Sequence, residues 1–176
     1  MKTNWQVRHL VRKRPLQIIT TTVFIVIIII LWWLFHPVND PVPITIRHEV
    51  SFSVLYPTGY TINPSSWQYS SSQQTLNFIA QKANLSVTFT EQQVPLAYLN
   101  DTAAYDRFIG SLKPSATFNT SLGSVSLTTF VFAGDFQPDG TTGILNTNGT
   151  LLFAHPSGDL TAGQWLSLFN SLKVSG

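Results

Sequence analysis

No cysteine occurs anywhere in the 176 residues, so disulfides, thiolate nucleophiles and cysteine-based zinc sites are all excluded. A domain built without those devices is held by its apolar core alone. Charge is scarce too: Asp, Glu, Lys and Arg together make up 10% of the chain. What charge there is falls unevenly. Lys2, Arg8, Arg12, Lys13 and Arg14 precede every acidic residue, and removing those five bases from the ten leaves five against eight acids, a balance of −3. The pI of about 9.0 is therefore a property of the amino-terminal tail, and no nucleic-acid partner is expected.

What is present first is a long apolar run. From Leu16 to Phe35 the chain reads LQIITTTVFIVIIIILWWLF without a charge. Twenty helical residues at about 1.5 Å each make roughly 30 Å, the thickness of a hydrocarbon core. Fourteen of them are Ile, Leu, Val or Phe, each favouring mid-membrane by roughly 0.3 to 0.6 kcal/mol, which outweighs Gln17 and three threonines. Five bases on the amino-terminal side against Arg47 alone near the other end place the N-terminus in the cytoplasm. Trp32 and Trp33 suit the outer headgroup level, and His36-Pro37 ends the helix. Bulky Trp-Trp-Leu-Phe stands where a signal peptide would need small residues for cleavage, so an uncleaved anchor is expected. The expected organisation is a cytoplasmic tail at 1–15, a transmembrane helix at 16–36, a proline-stiffened linker at 37–43 and one extracytoplasmic domain at 44–176.

Within that domain Val50, Phe52, Val54 and Tyr56 alternate with Ser51 and Ser53, the period of a half-buried strand stopping at Pro57-Thr58-Gly59. Residues 67–70 and 75–80 flank Ser71-Ser72-Gln73-Gln74 as a hairpin, and residues 85–90 alternate as the next strand. Tyr105, Phe108, Ile109 and Leu112 lie at helical spacing behind an Asn100-Asp101 cap and ahead of Lys113-Pro114. Strands are expected at 116–119, 124–133, 143–147 and 150–154, the last two joined by Asn148-Gly149, whose residues accept the positive φ of a tight turn. Thr161-Ala-Gly-Gln164 is a capping-box pattern opening a second helix, with Trp165, Leu168, Phe169 and Leu172 on one stripe. The fold class is α+β: an antiparallel sheet with the two helices covering a face of it.

The start FSVLYPTGY, an aromatic-x-x-x-x-Pro-x-Gly-aromatic pattern, and the closing WLSLFNSLKV helix ending in Ser-Leu-Lys resemble the PsbP-like fold family over roughly residues 50–174. The resemblance implies an extracytoplasmic accessory or binding module with no catalytic centre of its own. It carries no functional residue across, and a helical anchor departs from the family's usual attachment.

The catalytic and metal motifs that the sequence approaches are all incomplete. His48-Glu49-Val50-Ser51-Phe52 begins like the zinc-protease HExxH but has Phe52 where the second histidine belongs, and on the expected strand His48 and Glu49 face opposite ways. His155 and Asp159 could be drawn into a Ser-His-Asp group, yet no G-x-S-x-G elbow occurs. Asp135 and Asp139-Gly140 supply too few alternating ligands for a calcium loop. No catalytic, cofactor or metal residue is therefore expected. Tyr56, Tyr60, Trp67 and Tyr69, set among Ser, Thr, Asn and Pro, are the candidate ligand-binding aromatics, since flat amphipathic rings stack on sugars or peptides at small entropic cost; sheet packing explains them equally well. The expected partners are the bilayer, through residues 16–36, and a protein or glycan outside the membrane. The expected function is a single-pass accessory or binding protein, with a membrane-tethered cell-surface hydrolase or the ectodomain of a secretion or envelope machine as alternatives.

Overall fold

A computed structural model describes residues 23, 25–28, 41–94, 101–129, 140–147 and 149–175. The chain divides into two compact units, Met1–Asn39 and Asp40–Gly176. In the first, residues 23 and 25–28 are helical, and their apolar side chains are each 46% to 53% exposed. Among the described residues no helix is long and apolar enough to cross a membrane. The basic tail at 1–15, most of the expected span at 16–36 and residues 37–40 of the linker lie outside the described residues.

The second unit is α+β. It runs α1 (Ile44–Glu49), β1 (Leu55–Pro57), β2 (Thr61–Ile62), a 3-10 turn (Pro64–Ser66), β3 (Gln68–Ser70), β4 (Thr75–Lys82) and β5 (Leu85–Gln93). It continues with α2 (Thr102–Ser111), β6 (Ala116–Thr120), β7 (Gly123–Thr128), β8 (Thr142–Thr147), β9 (Thr150–Pro156), α3 (Ala162–Asn170) and β10 (Leu172–Val174). Eight strands form one antiparallel sheet in the order β2-β4-β5-β9-β8-β7-β6, with β3 also pairing β4; β1 and β10 form a separate two-stranded ribbon. The local signals account for most of this. The β3–β4 hairpin pairs Tyr69 with Leu76 as the alternation requires, and Gly149 turns the β8–β9 hairpin at φ +79°. Asp101 caps α2, its carboxylate accepting the Ala104 N–H at 3.0 Å. Thr161 and Gln164 close a full capping box on α3.

Several features depart from the sequence expectation. Residues 44–49 are helical, although Ile44, Thr45 and Ile46 lower helix propensity, and His48 and Glu49 accordingly lie on α1, with Phe52 beyond its end. The strand expected at 50–56 pairs only over Leu55–Pro57. Its alternation survives without a ladder: Val50, Phe52, Val54 and Tyr56 pack with Leu76 while Ser51 and Ser53 stay exposed. Val42, placed in the expected linker, belongs to the same cluster and is buried. Finally, α3 stops at Asn170, and Leu172 lies in β10 opposite Pro57 rather than on the helical stripe. Asn100, Asn148, Asp135 and Asp139, and residues 130–133 of the expected strand at 124–133, lie outside the described residues.

The two longer helices lie on opposite faces of the sheet, where the sequence led us to place both on one. Register fixes this, because neighbouring residues of a strand point to opposite sides. Leu145, Ala154, Phe89 and Phe78 share one face and pack with Trp165, Leu168 and Phe169 of α3. Ile144, Leu151 and Phe153 share the other and pack with Tyr105, Ile109 and Leu112 from α2 and its C-cap. Hence β8 and β9 are buried on both sides. Gly143 faces α3 at a point of close approach: a Cβ there would lie 2.6 Å from Phe169 Cε2 and 2.9 Å from Trp165 Cζ3.

Candidate functional site

The four candidate aromatics are part of the packing. Trp67 stacks on Phe78 with ring centroids 4.4 Å apart, and Phe78 on Phe89 at 5.0 Å, giving a three-ring column on the α3 side of the sheet. Tyr56 packs against the same core and also against Val54 and Leu76. Tyr69 packs against Leu76, and its hydroxyl lies 3.3 Å from Gln74 Oε1. Tyr60 is half-buried under the Lys82 ammonium, which sits 5.3 Å from its ring centroid, and burial raises its phenol pKa. All four side chains are partly buried. Tyr56 and Trp67 border both the main core and the smaller cluster of Val42, Val54 and Leu76, whereas Tyr60 packs on the first and Tyr69 on the second.

None of the four lines the cavity found beside them. That cavity, of about 470 Å³, opens between Arg47 of α1, residues 50–54 and Ser175 next to β10. The volume lies within the range of small-ligand clefts. Its wall is amphipathic, with Val50, Phe52 and Val54 offering apolar surface, Ser51, Ser53 and Ser175 offering hydroxyls, and Arg47 the one cation. The apolar–serine alternation of residues 50–54 is visible in the sequence. The close approach of Ser175, more than a hundred residues later, is not.

Side chains of the β3–β4 turn and of β5, with one backbone bond from Ser175, hold this wall in place. The Ser51 hydroxyl lies 2.7 Å from Gln74 Oε1 and 3.3 Å from Gln93 Oε1. Ser175 N–H donates to the Val54 carbonyl at 2.7 Å. Leu55 N–H donates to Glu91 Oε1 at 2.8 Å. Glu91 is fully buried, on the core face of β5 between Leu76 and Leu152. Burial drives its carboxyl pKa well above the ordinary value, and the Leu55 hydrogen bond only partly opposes this.

His155 sits on the α2 face, where its Nδ1 lies 3.0 Å from Thr142 Oγ1. A nucleophile–base pair would need a reachable hydroxyl, and Thr142 is 1% exposed. The contact is a packed hydrogen bond, and partial burial lowers the His155 pKa. In α2, burial and then the nearby Asp106 charge push Tyr105 up to about 12. Among the described residues no three His, Asp or Glu side chains are grouped to hold a metal ion. The chain matches no protein-family model, no curated protein and no solved structure.

Proposed function

We propose that this chain is a single-pass membrane-anchored accessory or binding module, with its N-terminus in the cytoplasm and residues 44–176 displayed outside, where the amphipathic cavity beside β1 receives part of a protein or glycan partner. The observation that carries the anchor is the uncharged stretch from Leu16 to Phe35 behind five bases. Its described part supports the same reading. Residues 25–28 are helical and turn through roughly 300° at 100° per residue, yet every one of their side chains is about half exposed. A helix that presents apolar, half-exposed side chains on all sides suits lipid. The PsbP-like resemblance points to the same kind of role, an accessory domain with no catalytic centre.

The test is topological. Intact cells expressing the full chain are treated with external protease, and membranes are extracted with alkaline carbonate. Loss of a carboxy-terminal epitope tag from intact cells, with retention of the anchor in the carbonate pellet, is the expected result. A protected tag, or a chain that stays in solution without detergent, overturns the reading.

A further inference from the structure

The ribbon of β1 and β10 lies outside the eight-stranded ladder, so the wall of the cavity reaches the main sheet through side chains rather than through continuous backbone pairing. One of those side chains is an ionisable group with 0% exposure. Glu91 spends Oε1 on the Leu55 N–H, while its Oε2 is buried with no hydrogen-bond partner among the described residues. The Thr150 hydroxyl, two residues from Leu152 on the neighbouring strand and on the same face, is also buried without one. A plain stability device would be better served by an apolar residue at this position, since a buried carboxyl with half its capacity unused is costly in either protonation state.

We infer that Glu91 is a proton-operated latch on the cavity wall: with its carboxyl neutral it holds Leu55, and with it residues 50–54, against the sheet, and ionisation frees that wall and opens the cavity. This rests on the cavity reading given above. A carboxylate sealed at this position has one N–H to replace its water shell, so the charged form favours any arrangement in which it reaches solvent. The cheapest such arrangement parts Leu55 from β5, because no β-ladder has to break there. Packing of Leu55 and Leu172 in the core opposes release, so the latch shifts a ratio between closed and open forms.

The surroundings leave Glu91 in control of the response. Its immediate neighbours on the sheet face are Leu76, Phe89, Gln93, Leu152 and Thr150. Burial and the Leu55 hydrogen bond are the causes of its shifted pKa, with no charged neighbour among them. Of the titratable groups on elements around it, Lys82 of β4, Lys173 of β10 and His48 and Glu49 of α1 are exposed. Arg47 lines the cavity, Tyr56 and Tyr69 pack against the cluster that holds Leu76, and His155 projects from the opposite face of β9.

Hydrogen exchange at the Leu55 amide in the full chain, divided by the intrinsic exchange rate at each pH, reads the opening ratio. In the wild type that ratio is expected to rise by up to tenfold per pH unit above the ordinary carboxyl range and to level off once the closed-state pKa of Glu91 is passed, while the Phe89 amide in the main sheet stays protected. Glu91→Gln, which keeps the carbonyl acceptor and cannot ionise, is expected to abolish the rise; His155→Gln is expected to leave it unchanged. A ratio that is flat from pH 5 to pH 9 in the wild type, or a Glu91→Gln chain that follows the wild type, overturns the proposal. Should Glu91→Gln fail to fold, the carboxyl carbon of Glu91 is titrated by NMR in the wild type: a midpoint matching the Leu55 transition supports the latch, and a separate midpoint overturns it. Failure of the cavity as a site is seen separately, as partner retention unaffected by Arg47→Ala and Phe52→Ala while the Leu55 profile persists.

Discussion

Replacing Gly143 by alanine tests the placement of α3 more sharply than any change in the helix itself. The added methyl would meet Phe169 Cε2 at 2.6 Å, Phe169 Cζ at 2.7 Å and Trp165 Cζ3 at 2.9 Å, where unstrained carbon pairs sit at about 3.5 to 4.0 Å. Neither ring can swing into solvent, because Phe169 is 0% and Trp165 2% exposed. The helix must therefore ride up by something near an ångström or the rings must leave their rotamers, an overpacking cost of about 1 to 3 kcal/mol. Against this stands the loss of glycine's freedom in the unfolded chain, a gain of about 0.4 to 1 kcal/mol. The difference is a net loss centred near about 1.3 kcal/mol and at most about 2.6 kcal/mol, and at about 4 °C per kcal/mol for a domain of this size the melting temperature should fall by about 5 °C. Thermal unfolding followed by near-ultraviolet circular dichroism measures this directly, since the signal comes from the aromatic core. Gly163→Ala is the matched control: a Cβ there meets nothing within 4 Å and sits inside α3, so the same substitution should raise the melting temperature. A second control is a double-mutant cycle, in which Phe169→Leu should cost less in the Gly143→Ala background than in the wild type. An unchanged or raised melting temperature for Gly143→Ala would refute the packing of α3 on this face.

Thr161→Ala removes one half of the capping box on α3 and should destabilise the domain by about 1 kcal/mol, whereas Thr161→Ser should be close to neutral; the same melting assay compares them. Stability should also depend on pH with two identifiable slopes. Glu91 has a folded pKa raised above its ordinary 4.5, so its contribution is fully present below about pH 4.5 and is lost as pH rises through the folded value. Glu91→Gln should flatten that loss in melting temperature against pH. His155 has a folded pKa lowered from 6.5, so its contribution is present above about pH 6.5 and is lost as pH falls through the folded value; His155→Gln should make the acid side shallower, and a slope unchanged in either variant would contradict the burial assigned to that residue.

The sequence alone was enough to identify the α+β class, the β3–β4 and β8–β9 hairpins, both longer helices and the capping box, because each of these is written within ten residues or so. Periodicity, a cap and a turn residue are local physics, and the chain follows them wherever nothing distant competes. The alternation of residues 50–56 is legible in the sequence as a strand, but residues 51 and 52 bend and only Leu55–Pro57 pair. How much of it pairs was decided elsewhere, by the three residues of β10 that lie opposite Leu55–Pro57. The same encounter ended α3 at Asn170 and drew Leu172 out of its helical stripe. Only the assembled sheet decided which face each helix covers, since an apolar stripe demands burial without naming its partner. Only there, too, did Glu91 become distinctive: in the sequence it is one acidic residue at the end of an alternating strand, and it became a buried carboxyl holding Leu55 only when the ribbon closed over β5. Burial, unlike periodicity, is a property of what the rest of the chain places on top.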